Sequence, residues 1–169
     1  LRDSLKIIKE ASEVEQLAMQ ADESQKITIV PAFVGLGAPH WNSECRGAVF
    51  GLTRSTGAPE MARAALESVG FQTRDLLEAM SSDWHTEDIN ATLRVDGGMS
   101  SNDWAMKFLS DIIGASVDRS ATREATALGV AWLAGMEMGV YPDQFEFSSR
   151  WTKEKEFKPT MNDKDRKQK

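Results

Sequence analysis

The chain has 169 residues, 41% of them hydrophobic, and a formal net charge of −6 at pH 7. This length and apolar content suit one compact domain with a buried core. The acidic balance provides no basic surface for nucleic acid, so we expect no nucleic-acid partner. No apolar run is long enough to span a bilayer and the first residues do not form a leader peptide, so we expect no membrane association and a cytoplasmic location.

Cysteine and histidine are rare. Cys45 is the single cysteine, so no intramolecular disulfide can form, and we expect a reducing compartment. The two histidines, His40 and His85, are too few and too isolated to predict a zinc site. We therefore predict no metal ligand, and we interpret His40 as a loop residue and His85 as an exposed one.

The first half of the chain predicts a helix, two strands and a second helix. Leu1, Leu5 and Ile8 recur at helical spacing, so we expect the chain to open inside an amphipathic helix. The next expected elements are a strand at 27–33, a Gly- and Pro-containing loop at 35–41, a strand at 47–52 and a long helix at 56–80. We expect Trp41 to pack against that loop.

The second half alternates strands and helices, which favours an α/β layered domain. The expected elements are a strand at 91–95, a helix at 101–113, a strand at 115–118 and a helix at 124–138. Gly114 is placed to end the first of these helices. The second helix is uncharged after Glu124 and rich in Ala and Gly, so we expect it to be buried, with close packing as the reason for Gly129.

The two ends of the chain suggest truncation. The chain has no initiator methionine and closes in a charged run, so we expect that it is cut at both ends. Residues 152–169 carry many charges and few apolar side chains, which predicts a solvated segment or the start of an element whose remainder is absent.

The segment Val95–Asn102 (VDGGMSSN) joins a predicted strand to a predicted helix through two glycines. Glycine lets a ligand approach the backbone, and the first N–H groups of the following helix have no internal partner. The spacing matches neither the dinucleotide fingerprint nor the P-loop. A structural alternative is a tight turn in which Ser100 or Ser101 caps the helix. We expect Asp96 to order the turn through its own hydrogen bonds rather than to act as a base.

Four blocks, in order and at similar spacing, resemble the C-terminal part of the glycerol kinases, a branch of the FGGY carbohydrate kinases. They are PAFVGLGAPHW at 31–41, RGAVFGLTR at 46–54, AALESVGFQTRDLLEAM at 64–80 and VDGGMSSN at 95–102, with support from 125–135. This chain departs from the family pattern at His40 and Asn42, where many relatives carry tyrosine and aspartate.

The resemblance implies an α/β domain of the actin-like ATPase (ribonuclease H-like) type, incomplete and corresponding to most of the second domain of an FGGY kinase. Residues 1–151 would form this partial domain, and residues 152–169 a charged tail leading into an absent final element. In such a kinase ATP and the polyol meet in a cleft between two domains.

The resemblance also implies an ATP-dependent phosphorylation of glycerol to glycerol 3-phosphate, with Mg²⁺ as the metal. The family motif places contacts to the adenosine end of the nucleotide on its second glycine and on the asparagine four residues later, here Gly98 and Asn102. The family's catalytic aspartate and polyol-binding residues lie upstream of the matched blocks, so no catalytic residue is assigned. The polyol would bind through the missing domain, and this chain alone would be inactive.

Two alternatives for the function stay open. The chain could belong to another FGGY kinase that acts on a pentulose or related polyol, because the substrate determinants lie outside it. It could also be a non-catalytic, stand-alone binding module, since it lacks the base. A homo-oligomer is one possible assembly.

Overall fold

A computed structural model describes residues 1–84 and 92–169. The described helices and strands are, in chain order, α1 (Glu13–Ala18), β1 (Thr28–Val30), β2 (Ala48–Phe50), α2 (Ala58–Asp83), β3 (Leu93–Val95), a 3-10 turn (Gly98–Ser101), α3 (Asp103–Ile113), β4 (Val117–Ser120), α4 (Ala125–Glu137), α5 (Gln144–Ser149), β5 (Lys153–Phe157) and α6 (Asp163–Gln168). The predicted alternation of strands and helices is confirmed. Within the described ranges, no helix is both long and apolar enough to cross a membrane.

The strands form two small sheets. β1 and β2 pair antiparallel, with Thr28 opposite Phe50. The other sheet has the order β3-β4-β5, in which β4 lies in the centre, parallel to β3 and antiparallel to β5. All four residues of β4 are buried. This central strand therefore fixes the positions of both neighbours.

The core lies between the long helix α2, the helix α3 and the three-stranded sheet. Its buried side chains come from helices and strands alike: Ala18, Ala62, Leu66, Ala105, Met106, Leu109, Val117 and Phe157. α3 packs against α2 on one side and meets β4 and β5 on the other. Gly114, with φ of 70°, ends α3 in the left-handed conformation, as predicted. α3 as a whole therefore lies between the helix α2 and the three-stranded sheet.

The predicted opening helix is wrong. Residues 1–12 form turns and bends, and α1 is restricted to Glu13–Ala18. Lys6 has φ of +56°, a left-handed conformation that interrupts a right-handed helix. Leu5 is exposed while Ile8 is buried, so the apolar spacing does not correspond to one buried helical stripe.

The expected burial of the helix at 124–138 is also wrong. No residue of α4 is buried, and the side chain of Val130 is 64% exposed. α4 packs mainly on the following segment, where the rings of Trp132 and Phe147 stack with centroids 5.0 Å apart. Close packing is confirmed at Gly135, where an added Cβ would collide with the Tyr141 ring, but not at Gly129. The composition of a helix shows that it is apolar, but it does not show whether another part of the chain packs over it.

The charged C-terminal segment is part of the sheet. β5 pairs along β4, with residues 153–156 exposed and Phe157 buried in the core. β5 lies at the sheet edge, where charged side chains are favoured because they discourage pairing with other strands. The division of the chain at residue 151 stays a prediction.

Two glycines in helices allow a paired prediction about stability. A Cβ at Gly70 of α2 would lie 2.7 Å from the Phe108 ring of α3, whereas a Cβ at Gly129 would have no atom within 4 Å. Gly70→Ala should therefore lower the free energy of unfolding by about 1–3 kcal/mol through overpacking. Gly129→Ala should raise it by up to about 1 kcal/mol through helix propensity. Urea denaturation of both variants shows whether each substitution raises or lowers the free energy of unfolding. A Gly70→Ala variant that is more stable than the unchanged chain would contradict the close approach of α2 and α3.

Asp111 of α3 gives a prediction about acid. Its Oδ1 accepts hydrogen bonds from the N–H groups of Thr160 (2.6 Å) and Met161 (3.0 Å) and from the Lys107 ammonium (2.6 Å). Burial by itself raises the pKa of Asp111, but the ammonium and the two N–H groups outweigh it and lower the pKa below the ordinary 3.8. The stabilisation is therefore complete above pH 3.8 and is lost as the pH falls through the lower, folded-state pKa.

We expect Asp111→Asn to reduce the free energy of unfolding by about 1–3 kcal/mol at neutral pH, since an amide accepts these bonds less strongly. The difference in the free energy of unfolding between this variant and the unchanged chain should become smaller once the pH falls below the ordinary pKa of an aspartate. Urea denaturation at neutral and acid pH checks this, with Asp163→Asn as the control because the Asp163 side chain is 85% exposed. A difference independent of pH would contradict the role given to the Asp111 charge.

Candidate functional site

The two glycines lie, as predicted, at the corner between β3 and α3. Gly97 has φ of 84°, a left-handed conformation that favours glycine, and the 3-10 turn Gly98–Ser101 follows. A Cβ built on either Gly97 or Gly98 would meet no atom within 4 Å. We call the segment Gly97–Asn102 the glycine corner. Its glycines leave open space beside the backbone, which a ligand could enter.

The glycine corner is ordered by Ser100. The Ser100 side chain and N–H both donate to the Gly97 carbonyl, at 2.7 and 3.1 Å. The prediction that Asp96 orders the turn is wrong, because Asp96 is exposed and its carboxylate makes no hydrogen bond to another described residue. Within the described residues, the N–H groups of Gly98 and Met99 have no acceptor. These two N–H groups are available to an electron-rich ligand atom.

Asn102 caps α3, a role that the structural alternative considered above gave to Ser100 or Ser101. Its Oδ1 accepts a hydrogen bond from the Ala105 N–H at 2.8 Å, and the residue is half-buried. Because the carbonyl end of the amide is bound in the cap, the Nδ2 end is left to donate. Gly98 and Asn102 thus belong to one turn and together offer N–H donors.

The start of α3 is tied to the sheet by a buried arginine that sequence reasoning missed. Arg119 of β4 is 6% exposed, and its Nη1 donates to the Ser100 carbonyl (2.8 Å) and to Asp103 Oδ1 (2.7 Å). Its Nε lies 3.2 Å from Glu154 Oε2. The signal available in the sequence was an arginine directly after the short predicted strand at 115–118, where a buried charge would need a partner.

Asp103 is held from both sides. Its Oδ2 accepts from the Lys155 ammonium of β5, and its Oδ1 accepts from Arg119. The Lys155 hydrogen bond, followed by Arg119, outweighs partial desolvation and lowers the pKa of Asp103 below its ordinary value. Asp103 therefore stays ionised at neutral pH and keeps both cationic partners.

The remaining candidates lie apart from the glycine corner. His40 is exposed on its loop, with Nε2 3.4 Å from Asp75 Oδ2, which agrees with its interpretation as a loop residue. Trp41 is 79% exposed, so the expected packing against the loop is wrong. Cys45 is a free thiol. His85 lies outside the described residues.

The glycine corner offers hydrogen-bond donors, which suit a ligand with acceptor atoms rather than a metal ion. Its N–H donors lie beside open space. Mg²⁺ requires oxygen ligands, and no cluster of three or more His, Cys, Asp or Glu side chains that could hold a metal occurs among residues 1–84 and 92–169.

Comparison with known proteins shows to which protein family the chain belongs. The profile of the C-terminal domain of the FGGY family of carbohydrate kinases matches residues 2–138. The chain belongs to this family, and its glycine corner lies inside the matched region.

Within this family, the chain is closely similar in sequence to relatives that are glycerol kinases. The chain is 63% identical over 162 residues to a glycerol kinase of Roseobacter denitrificans, covering 96% of this chain and 33% of that protein. It resembles the crystal structure of Plasmodium falciparum glycerol kinase with ADP at a TM-score of 0.81 and 35% identity, over 96% of this chain and 32% of that one. The chain thus spans about a third of the length of these relatives.

A more distant structure agrees in fold alone. The ligand-bound xylulose kinase from Lactobacillus acidophilus matches at a TM-score of 0.77 and 22% identity, covering 99% of this chain and 33% of that one. The expected α/β fold of the actin-like ATPase type is confirmed, and the chain corresponds to the C-terminal domain of the family.

Proposed function

We propose that the complete polypeptide carrying these residues is an ATP-dependent kinase that phosphorylates glycerol to glycerol 3-phosphate. The observation that carries this proposal is the 63% identity to a glycerol kinase over nearly the whole chain. Identity of this extent to one branch favours glycerol over a pentulose, to whose kinases the likeness is one of fold.

We propose further that the glycine corner binds the adenosine end of the nucleotide, through Gly98 and Asn102. The support is the open space at Gly98, the Asn102 amide with Oδ1 bound in the helix cap, and the ADP in a structure of a relative that covers this region. The corner would position the nucleotide, and positioning is a large part of phosphoryl-transfer catalysis.

The groups that act on the phosphates would come from elsewhere in the polypeptide. Asp96, the carboxylate nearest to the glycines in sequence, is exposed and is not assigned as a base. Mg²⁺ neutralises charge on the transferred phosphoryl group in such kinases. It would be held by the phosphates and by residues outside those described. We expect the polyol to bind through the other domain, and the protein to lie in the cytoplasm.

Substrate identity is tested by steady-state kinetics of the complete polypeptide with ATP. We expect kcat/KM for glycerol to exceed that for xylulose by at least about a hundredfold, since a site built for one polyol leaves polar groups unpaired with another. The 169-residue chain alone should show no turnover, because it lacks the base. A higher kcat/KM for a pentulose than for glycerol would overturn the proposal of glycerol as the substrate. Turnover by the 169-residue chain alone would overturn the proposal that the catalytic base lies elsewhere in the polypeptide.

The nucleotide contact is tested by two variants of Asn102 that separate capping from binding. Asn102→Asp keeps a good cap, whereas Asn102→Ala removes it and should lower stability by about 1 kcal/mol. Both remove the Nδ2 donor, so both should weaken ADP binding about tenfold or more. Calorimetric titration with ADP and thermal unfolding measure the two effects. Unchanged ADP affinity in Asn102→Asp would contradict the contact, and glycerol affinity serves as the internal control.

A further inference from the structure

We infer that Arg119 is a positioning residue of the nucleotide site, and that it acts by holding the backbone carbonyl of Ser100 before Asn102 and the side chain of Asp103 after it. A single nitrogen, Nη1, donates to the Ser100 carbonyl at 2.8 Å and to Asp103 Oδ1 at 2.7 Å. Ser100 and Asp103 flank the two residues Ser101 and Asn102. This inference rests on the proposed binding of the nucleotide at the glycine corner.

The Arg119 guanidinium faces a carboxylate at its other edge, where its buried Nε makes no hydrogen bond to the described residues. Glu154 of β5 lies 3.2 Å from Nε and accepts from Nη2 at 3.4 Å, and the guanidinium lies 5.4 Å from the centre of the Phe157 ring. A buried guanidinium with these partners cannot rotate without leaving a charge uncompensated. The glycine corner is therefore bound to the interior of the sheet and not only to its own helix.

Arginine is suited to this geometry and lysine is not. The planar guanidinium directs one nitrogen at two acceptors while its opposite edge faces Glu154. A lysine ammonium at the same place keeps the charge but cannot reproduce both directions at once. Arg119→Lys therefore removes the fixed geometry while it leaves a cation for Asp103 and Glu154.

A fixed turn reduces the ordering that nucleotide binding would otherwise require. The N–H donors of Gly98 and Met99 and the Asn102 amide are then in place before the ligand arrives. Loosening the turn should weaken nucleotide binding selectively, because the polyol is expected to bind in the other domain. This selectivity distinguishes a positioning role from a general role in folding.

The test uses the complete polypeptide with Arg119→Lys. We expect the Kd for ADP and the KM for ATP to rise about tenfold, as for the loss of one charge-assisted hydrogen bond, with the KM for glycerol unchanged. Amide hydrogen exchange at Met99–Asn102 should be faster in the variant without nucleotide. Arg123→Lys is the matched control, because Arg123 is 57% exposed and only approaches Glu154, at 4.0 Å. It should leave every quantity unchanged.

Three outcomes would overturn the inference. If Arg119→Lys leaves ADP affinity unchanged while Asn102→Asp weakens it, the glycine corner binds nucleotide without help from Arg119. If glycerol and ADP binding weaken together and the protein melts earlier, Arg119 is a general stability residue. If neither variant changes ADP affinity, the proposed nucleotide site itself fails. Should Arg119→Lys not fold, Asp103→Asn replaces it, because Asp103 is 45% exposed and removing its charge weakens the same attachment.

Discussion

The structure around the glycine corner depends on a positive charge buried in a strand. Arg119 lies at the centre of the three-stranded sheet, where a charge is tolerated only with close carboxylate partners. Asp103 at the start of α3 and Glu154 on β5 provide them. One guanidinium therefore joins the start of α3 to β4 and β5, the two strands whose register is set by their own backbone pairing.

Apolar packing completes this arrangement from the other side of α3. Gly70 of α2 faces the ring of Phe108 of α3 at close range, and that ring is itself stacked on Trp104 with centroids 5.7 Å apart. The helix that follows the glycine corner is thus held by a close helix contact on one face and by ionic contacts at its start. Ligand-binding groups placed on such rigid elements keep their geometry without the ligand.

The sequence was sufficient for the fold class and for the location of the glycine corner. Helical and strand periodicity placed most elements within a few residues, because apolar spacing reflects which face is buried. Periodicity failed at two places where burial depends on distant partners. The opening helix is interrupted at Lys6, and the apolar surface of α4 is exposed. Periodicity also missed Arg119, since spacing along the chain does not show that Asp103 and Glu154 lie beside it. Asn102 was found through resemblance, but its cap required the structure.

That cap limits what the glycine corner can select. Because Oδ1 is bound to the Ala105 N–H, the Asn102 amide cannot turn over to exchange its donor and acceptor ends without uncapping α3. The Asn102 amide therefore presents hydrogens and not its oxygen. In the proposed nucleotide site, this amide would accommodate a heterocycle or sugar oxygen with a free lone pair, whereas a ring nitrogen that is protonated or alkylated there would meet another hydrogen. Discrimination at this corner would depend on lone pairs and not on size.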